Sequence, residues 1–274
     1  MVRSLWTAAT GMIGQQINVD TISNNLANVN TVGYKTETNE FKSLLYQNIQ
    51  TRTTSANGEQ KPVSAQVGLG VRNAAVVSQF TQGAYLESEN PTAMAIGGDG
   101  FFALKGNDGK TYYTRNGDFR FAIGANNNMV LTSSDGLPVL NTTGNPIELN
   151  ANNYITNKIQ IDDEGYLNYP DANNNLQRIP GMRIGVYQFQ NPAGLNKVGD
   201  SLYDVTAASG QALNEATNAN LTKSEIRQGY LEGSNVQIAD EMVNLIIAQR
   251  AYELNSKAIQ TADTMMQEAN ELRR

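Results

Sequence analysis

The chain has 274 residues, of which none is cysteine, none is histidine and one is tryptophan. Without cysteine there is no disulfide and no thiolate metal site, and any redox compartment is tolerated. Without histidine the commonest general base, triad member and zinc ligand is missing, so an enzyme is not expected, and no catalytic, metal or cofactor-binding residue is assigned. Positive charge is also short. With 20 Lys and Arg against 26 Asp and Glu the net charge is −6, and a pI near 4.8 argues against nucleic acid, whose phosphates would repel the chain. No apolar run approaches the ~18 residues of a membrane helix. The first residues lack the basic, apolar and small-residue order of a secretory signal, so neither membrane insertion nor a cleaved leader is expected. What remains is 40% apolar residues at a mean hydropathy of −0.42, enough for a real core in one or two domains.

Backbone breakers are missing from one end. Gly233 is the last glycine and Pro192 the last proline, so Ser234 to Arg274 reads as one long helix of ~60 Å at 1.5 Å per residue. Ser234 with Gln237 three residues on has the form of a capping box. Ile238, Leu245, Tyr252, Ile259 and Met266 recur every seven residues, with Ala248, Ala262 and Ala269 on the next column, the period of a supercoiled seam. A helix that outreaches its own domain needs partners.

At the other end Leu5, Met12, Val19 and Leu26 are also seven apart, joined by Ala8, Ile22, Trp6, Ile13 and Ile17. The pattern fits an ordinary two-helix core under a β domain, and equally a surface for sister copies. Gly11 and Gly14 each cost ~1 kcal/mol relative to alanine, and Asn18, Asn24, Asn25 and Asn28 are poor helix formers. A helix so weakened is expected to be marginal until packed, which favours assembly, with both termini loosely held in the lone chain. It is read over residues 1–32, ending where Asn28, Asn30 and Gly33 supply turn chemistry. Capping explains one or two asparagines there; amides that donate and accept at once also suit hydrogen bonding between copies.

Residues 41–67 fit neither helix nor strand. Phe41 and Leu45 are four apart, as in a packed helical pair, and after Tyr46 the chain turns polar, with Gly58 and Pro62. From residue 68 to about 205 short alternating runs lie between hairpin signals: Gly97-Gly98-Asp99-Gly100, Asn107-Asp108-Gly109, Asn116-Gly117, Ser134-Asp135-Gly136 and Asp163-Glu164-Gly165. Phe101–Leu104, Tyr112–Thr114, Phe119–Phe121, Met129–Leu131, Ile159–Ile161 and Ile184–Phe189 are the expected strands of an all-β barrel or sandwich. Residues 206–225 lead back to the long helix. The fold class is therefore α+β, with terminal helices forming a coiled-coil-like domain and an all-β centre. Its expected parts are 1–45, the helical half of the terminal domain; 46–67, an extended stretch; 68–225, the β domain; and 226–274, the completing helix.

Three motifs suggest chemistry and are set aside. Gly199-Asp200-Ser201-Leu202 spells a serine-esterase nucleophile block, but that chemistry needs a histidine base, and the segment reads as a turn into a strand. Asp171, Asn173 and Asn175 alternate like half of a calcium loop, yet Leu176 and Met182 stand where the glycine and the bidentate glutamate belong. The glycines at 97–100 have no following helix whose amino end would cradle phosphate.

The segment Asn24-Asn25-Leu26-Ala27-Asn28, followed by Thr31, Gly33, Tyr34 and Lys35, resembles the N-terminal motif of the bacterial flagellar rod and hook protein family. Met1-Val2-Arg3-Ser4-Leu5-Trp6 is similar to its distal-rod branch. Ser234-Asn235-Val236, Glu241-Met242-Val243-Asn244, Gln249-Arg250-Ala251-Tyr252-Glu253 and Asn255-Ser256-Lys257-Ala258 look like that branch's C-terminal helix, and Gly100-Phe101-Phe102, Tyr113-Thr114-Arg115-Asn116-Gly117 and Gln228-Gly229-Tyr230 carry the likeness through the middle. The resemblance implies a structural subunit of the distal rod, polymerising helically into a hollow, torque-transmitting shaft. It implies export through the flagellar type III apparatus, with Phe41 and Leu45 as a candidate export signal, and makes 46–67 a stretch ordered between subunits. Leu5, Met12, Val19, Leu26, Ile238, Leu245, Tyr252, Ile259 and Met266 are the expected assembly contacts, with Asn24, Asn25 and Asn28 as hydrogen-bonding positions. Implied partners are further copies, proximal rod subunits, hook or hook-junction subunits, the surrounding rings and the export apparatus. The alternatives are another axial subunit, of proximal rod or hook, and a hydrolase using Ser201.

Overall fold

The computed structural model describes residues 2–50, 65–124, 128–171, 175–218 and 220–272. They form an α+β fold in two compact units, one of residues 1–27, 37–78 and 237–274, the other of 28–36 and 79–236.

The first unit holds both helices, α1 (Val2–Ala27) and α2 (Ile238–Glu271). Among its described residues the strands are β1 (Glu37–Ser43), β2 (Tyr46–Gln50), β3 (Ala65–Gly68) and β4 (Val71–Ser78). β1 pairs antiparallel with β4, with an irregularity between Glu40 and Phe41, and β2 pairs with β3. α1 packs along α2 and against β1 and β4. Three expectations are corrected here. The first helix ends at Ala27 instead of running on to residue 32. No capping box forms: α2 begins at Ile238, its cap residue Gln237 makes no side-chain hydrogen bond, and the Ser234 hydroxyl accepts from Val236 N at 3.3 Å. Asp240, exposed in the first turn, complements the helix dipole instead. Strands occupy 41–43, 46–50 and 65–68, where the composition suggested neither helix nor strand, because backbone pairing is indifferent to polar side chains; residues 51–64, with Gly58 and Pro62, lie outside the described residues.

The second unit is all-β. β5 (Tyr85–Glu87) pairs with β20 (Tyr230–Glu232), and β6 (Met94–Gly97) with β19 (Glu225–Gln228). The largest sheet has six strands. Its centre is β7 (Phe101–Lys105) and β8 (Thr111–Thr114), flanked by β15 (Val186–Gln188), β16 (Asn196–Gly199), β17 (Leu202–Asp204) and β18 (Leu213–Asn214) in the order β16-β17-β8-β7-β15-β18. Two three-stranded sheets complete it. One holds β9 (Phe119–Ile123), β10 (Asn128–Ser133) and β11 (Glu148–Asn150); the other holds β12 (Gln160–Ile161), β13 (Tyr166–Pro170) and β14 (Leu176–Arg183).

β7 is buried on both faces, so its period of two feeds two cores. Phe102 and Leu104 enter an aliphatic cluster with Met94, Ile96, Leu131, Ile147, Leu167 and Ile184. Phe101 and Ala103 join Tyr113, Leu140, Phe189 and Tyr203, where Phe101 meets Phe80 and Phe189 edge to face at 5.4 Å, a favoured aromatic geometry. At 200–201 the backbone is left-handed at both residues, with φ of 50° at Asp200 and 58° at Ser201, a tight hairpin turn between β16 and β17.

Residues 28–36, which the sequence groups with the first helix, pack within this unit. The Lys35 ammonium donates to Glu232 Oε1 at 2.5 Å and to Thr81 O at 2.7 Å, and Arg115 donates to Glu232 Oε2 at 3.2 Å. Lys35 and Glu232 are fully buried and Arg115 is 1% exposed. Burial pulls the Lys35 ammonium below its usual pKa, against the raising effect of Glu232. Two residues earlier, Gly33 sits at φ 70°, and a methyl carbon there would lie 2.7 Å from Asn116 N and 2.8 Å from Arg115 C. Conformation and space both demand glycine.

Candidate self-assembly surface

The side of α2 that meets α1 is set by positions alternately four and three residues apart: Glu241, Leu245, Ala248, Tyr252, Asn255, Ile259, Ala262 and Met266. Ala248, Ala262 and Glu241 are buried, while Leu245, Asn255, Ile259 and Met266 are half-buried. α1 answers with buried Ala8 and Ile22 and half-buried Leu5, Met12, Val19 and Leu26. Its glycines are contact points. A methyl carbon on Gly11 would lie 2.9 Å from the Asn255 amide nitrogen, and one on Gly14 3.1 Å from the Phe41 ring. The residues that weaken α1 as an isolated helix let α2 and β1 approach it.

Most columns expected to serve sister copies are thus occupied within the chain; Ile238 and Tyr252 remain 50% and 43% exposed. A groove of about 520 Å³ runs between the helices, lined by Gln16, Val19, Gln249, Tyr252 and Glu253. The far side of α2 is where apolar surface is uncovered. Val243, Ile247, Leu254, Met265 and Leu272 are each more than half exposed, and so are Trp6 and Ile13 on α1. Five side chains spaced by four, seven, eleven and seven residues hold one face of a helix, since each interval is close to a whole number of turns. This second stripe was missed in the sequence because the seven-residue columns through 245 and 248 account for the helix on their own. Its signal was present in Val243, Ile247 and Leu254, which repeat the seam's spacing on the opposite side.

The three asparagines have neighbours inside the chain. Asn25, 1% exposed, donates to Glu37 O at 2.8 Å and accepts from Glu37 N at 2.9 Å, and its amide also reaches Glu241 Oε1 at 3.3 Å. A side chain thereby imitates a strand partner for the start of β1. Asn24 is exposed and donates to Glu37 Oε2 at 3.4 Å, and Asn28 Oδ1 accepts from the Thr31 hydroxyl at 3.0 Å. Phe41 and Leu45 are not a helical pair: Phe41 lies in β1 over Gly14, and Leu45 beyond the strand is 82% exposed.

Of the motifs set aside, Ser201 is the second residue of its hairpin turn, and its carbonyl accepts from the Thr114 hydroxyl at 2.9 Å. Asp171 N bonds to Asn175 O at 2.9 Å; Asn173 lies outside the described residues. Among the described residues no helix is long and apolar enough to cross a membrane.

The described residues thus combine terminal helices that leave apolar side chains uncovered with a β unit that buries its own core. Comparison with known proteins gives the class. Family models match at residues 5–35 (flagella basal body rod protein), 95–169 (flagellar hook protein FlgE/F/G D1 domain) and 227–272 (flagellar basal body rod FlgEFG protein, C-terminal). The flagellar basal-body rod protein FlgG of Borreliella burgdorferi is 44% identical over 100% of both chains. That of Agrobacterium fabrum is 38% identical over 96% of this chain and 97% of its own, and that of Bacillus subtilis 34% over 100% of both. The chain belongs to the bacterial flagellar rod and hook family. Within it the chain goes with the distal-rod proteins of the FlgG type, as a structural subunit of the basal-body rod.

Proposed function

We propose that copies of this chain polymerise helically into a hollow shaft that carries torque from motor to hook, with α1 and α2 forming a coiled-coil-like inner layer. The observation that carries this reading is the uncovered apolar face of α2, where Val243, Ile247, Leu254 and Met265 are each more than half exposed, since monomeric soluble proteins rarely expose large apolar patches. Transmission of torque needs no turnover, only stiffness from repeated contacts that gain roughly 25 cal/mol per Å² of apolar area buried. Heterologous contacts that do not close on themselves give a filament instead of a ring.

Ile238 and Tyr252, partly open, contact neighbouring copies directly. Leu5, Met12, Val19, Leu26, Leu245, Ile259 and Met266 act by pairing the helices that present the interface, and Asn24, Asn25 and Asn28 hold the end of α1 and the segment after it. Residues 46–67 bridge subunits, and Phe41 with exposed Leu45 is the export signal. The partners are further copies, proximal rod subunits, hook or hook-junction subunits, the surrounding rings and the export apparatus.

Electron microscopy of the concentrated chain tests this, alongside a form lacking residues 1–35 and the double variant Ile247→Glu, Leu254→Glu. The intact chain is expected to form filaments, and the other two to remain short or monomeric. An intact chain that stays monomeric and never enters purified basal bodies overturns the reading.

A further inference from the structure

The first seam position of α2 is a carboxylate. Glu241 is 7% exposed, and one of its oxygens accepts from Asn25 Nδ2 at 3.3 Å. The other, Oε2, is buried without a hydrogen-bond partner. Asn25 cannot supply more, because its amide also serves the backbone of Glu37. The groups around Glu241 offer no counter-charge. α1 contributes the neutral Asn25, β1 the backbone of Glu37 bound to that amide and α2 the like-charged Asp240, and among the described residues no lysine or arginine forms an ion pair with it. An ionised carboxylate buried with one oxygen unmet is costly. The neutral acid suits the same place far better.

We propose that Glu241 is a protonation-controlled latch: its neutral form holds the start of α2 against the end of α1 and β1, and its ionisation loosens that junction. This goes beyond the rod assignment and does not rest on it. Burial, ahead of the repulsion from Asp240 and against the pull of the Asn25 hydrogen bond, raises the carboxyl above its usual pKa. The sign follows from linkage. A carboxyl raised in the folded state favours folding fully below its unfolded pKa, and that contribution is lost as pH rises through the folded pKa. The helix pair is therefore tighter below the carboxyl's folded pKa than above it, while Glu241→Gln, neutral at every pH and able to keep the Asn25 contact, stays latched.

The test is amide hydrogen exchange of the full chain at low concentration, with rates corrected for intrinsic pH dependence, read on peptides from α1 and the first turns of α2. In the wild type, opening should grow about tenfold for each unit by which the carboxyl is raised as pH climbs from the unfolded carboxyl pKa to above the folded one. In Glu241→Gln it should stay flat, with exchange of the β unit equal in both. The same rise in the variant, or none in the wild type, overturns the proposal. Should Glu241→Gln fail to fold, a carboxyl-carbon NMR titration of wild-type Glu241 decides instead, with an ordinary or depressed midpoint counting against the latch.

Discussion

The two units of this chain solve the burial problem in opposite ways. The β unit hides its largest side chains completely: Phe101, Phe102, Phe119, Met94, Ile96, Leu131, Ile147 and Leu167 are all within 1% of full burial. Among its described residues the helical unit buries four apolar ones, Ala8, Ile22, Ala248 and Ala262, three of them alanines with little surface to hide. Its other large apolar residues are half-buried or stay in solvent. A unit of this kind gains most of its possible hydrophobic stabilisation only when something covers it, whereas the β unit already has that stabilisation alone. Stability of the isolated chain and capacity to assemble are therefore separable properties, carried by different residues.

The sharpest way to break the comparison is to attack the β unit's ion cluster. Glu232→Ala leaves the Lys35 and Arg115 cations without the carboxylate between them, and takes from Gly83 N its 3.0 Å acceptor. Removing one partner of a buried ionic set costs about 3–5 kcal/mol, which should appear as a lower denaturation midpoint of the β unit by near-ultraviolet circular dichroism. The cost should shrink as pH rises. Lys35, whose pKa is already lowered by burial, can shed its proton once Glu232 no longer holds it, while Arg115 cannot. A loss below about 1 kcal/mol would mean that the β unit does not depend on its buried charges.

Next in size is a matched pair of leucines. Leu131→Ala, at a fully buried position, should cost about 2–5 kcal/mol in the monomer's unfolding free energy, as core truncations do. Leu254→Ala, at 65% exposure, should change it by no more than about 0.5 kcal/mol. Burying a leucine is worth ~1.5–3 kcal/mol, so the same Leu254→Ala should raise the critical concentration for assembly by about tenfold or more. Denaturant titration and sedimentation read the two effects separately. Equal losses of monomer stability would erase the distinction between the units.

How much of this could be read in advance depends on what kind of pattern each element leaves. The strands from Phe101 to Phe121 and the hairpin at Gly199–Leu202 were legible because alternation and turn residues are local signals. α2 was legible because it lacks breakers over its whole length. β1 to β4 were not, since their residues are polar or exposed and their order comes from pairing. The ion cluster was invisible for a different reason: Lys35, Arg115 and Glu232 are far apart in sequence, and nothing local marks a lysine as buried. The seven-residue columns were legible as a period, but period alone cannot say whether a column faces a helix of the same chain or of another. Glu241 was overlooked because an acidic residue in a helix's first turn is ordinary, while its burial comes from contacts distant in sequence.

The smallest effects come from two glycines that look alike in sequence. Gly33→Ala in the β unit forces a side chain onto φ 70°, with backbone atoms 2.7 and 2.8 Å from the new carbon. Backbone cannot move aside cheaply, and the change should cost about 1–3 kcal/mol. Gly11→Ala in α1 is helical, and the atom it meets at 2.9 Å is the end of the Asn255 side chain, which can rotate away. Alanine also brings back ~1 kcal/mol of helix propensity, so the helical unit should be unchanged or slightly more stable in monomer thermal melts. The two substitutions differ in sign because one unit packs backbone against backbone and the other packs through side chains with room to give. A cost at Gly11 comparable to that at Gly33 would show the helix pair to be as tightly fitted as the β core.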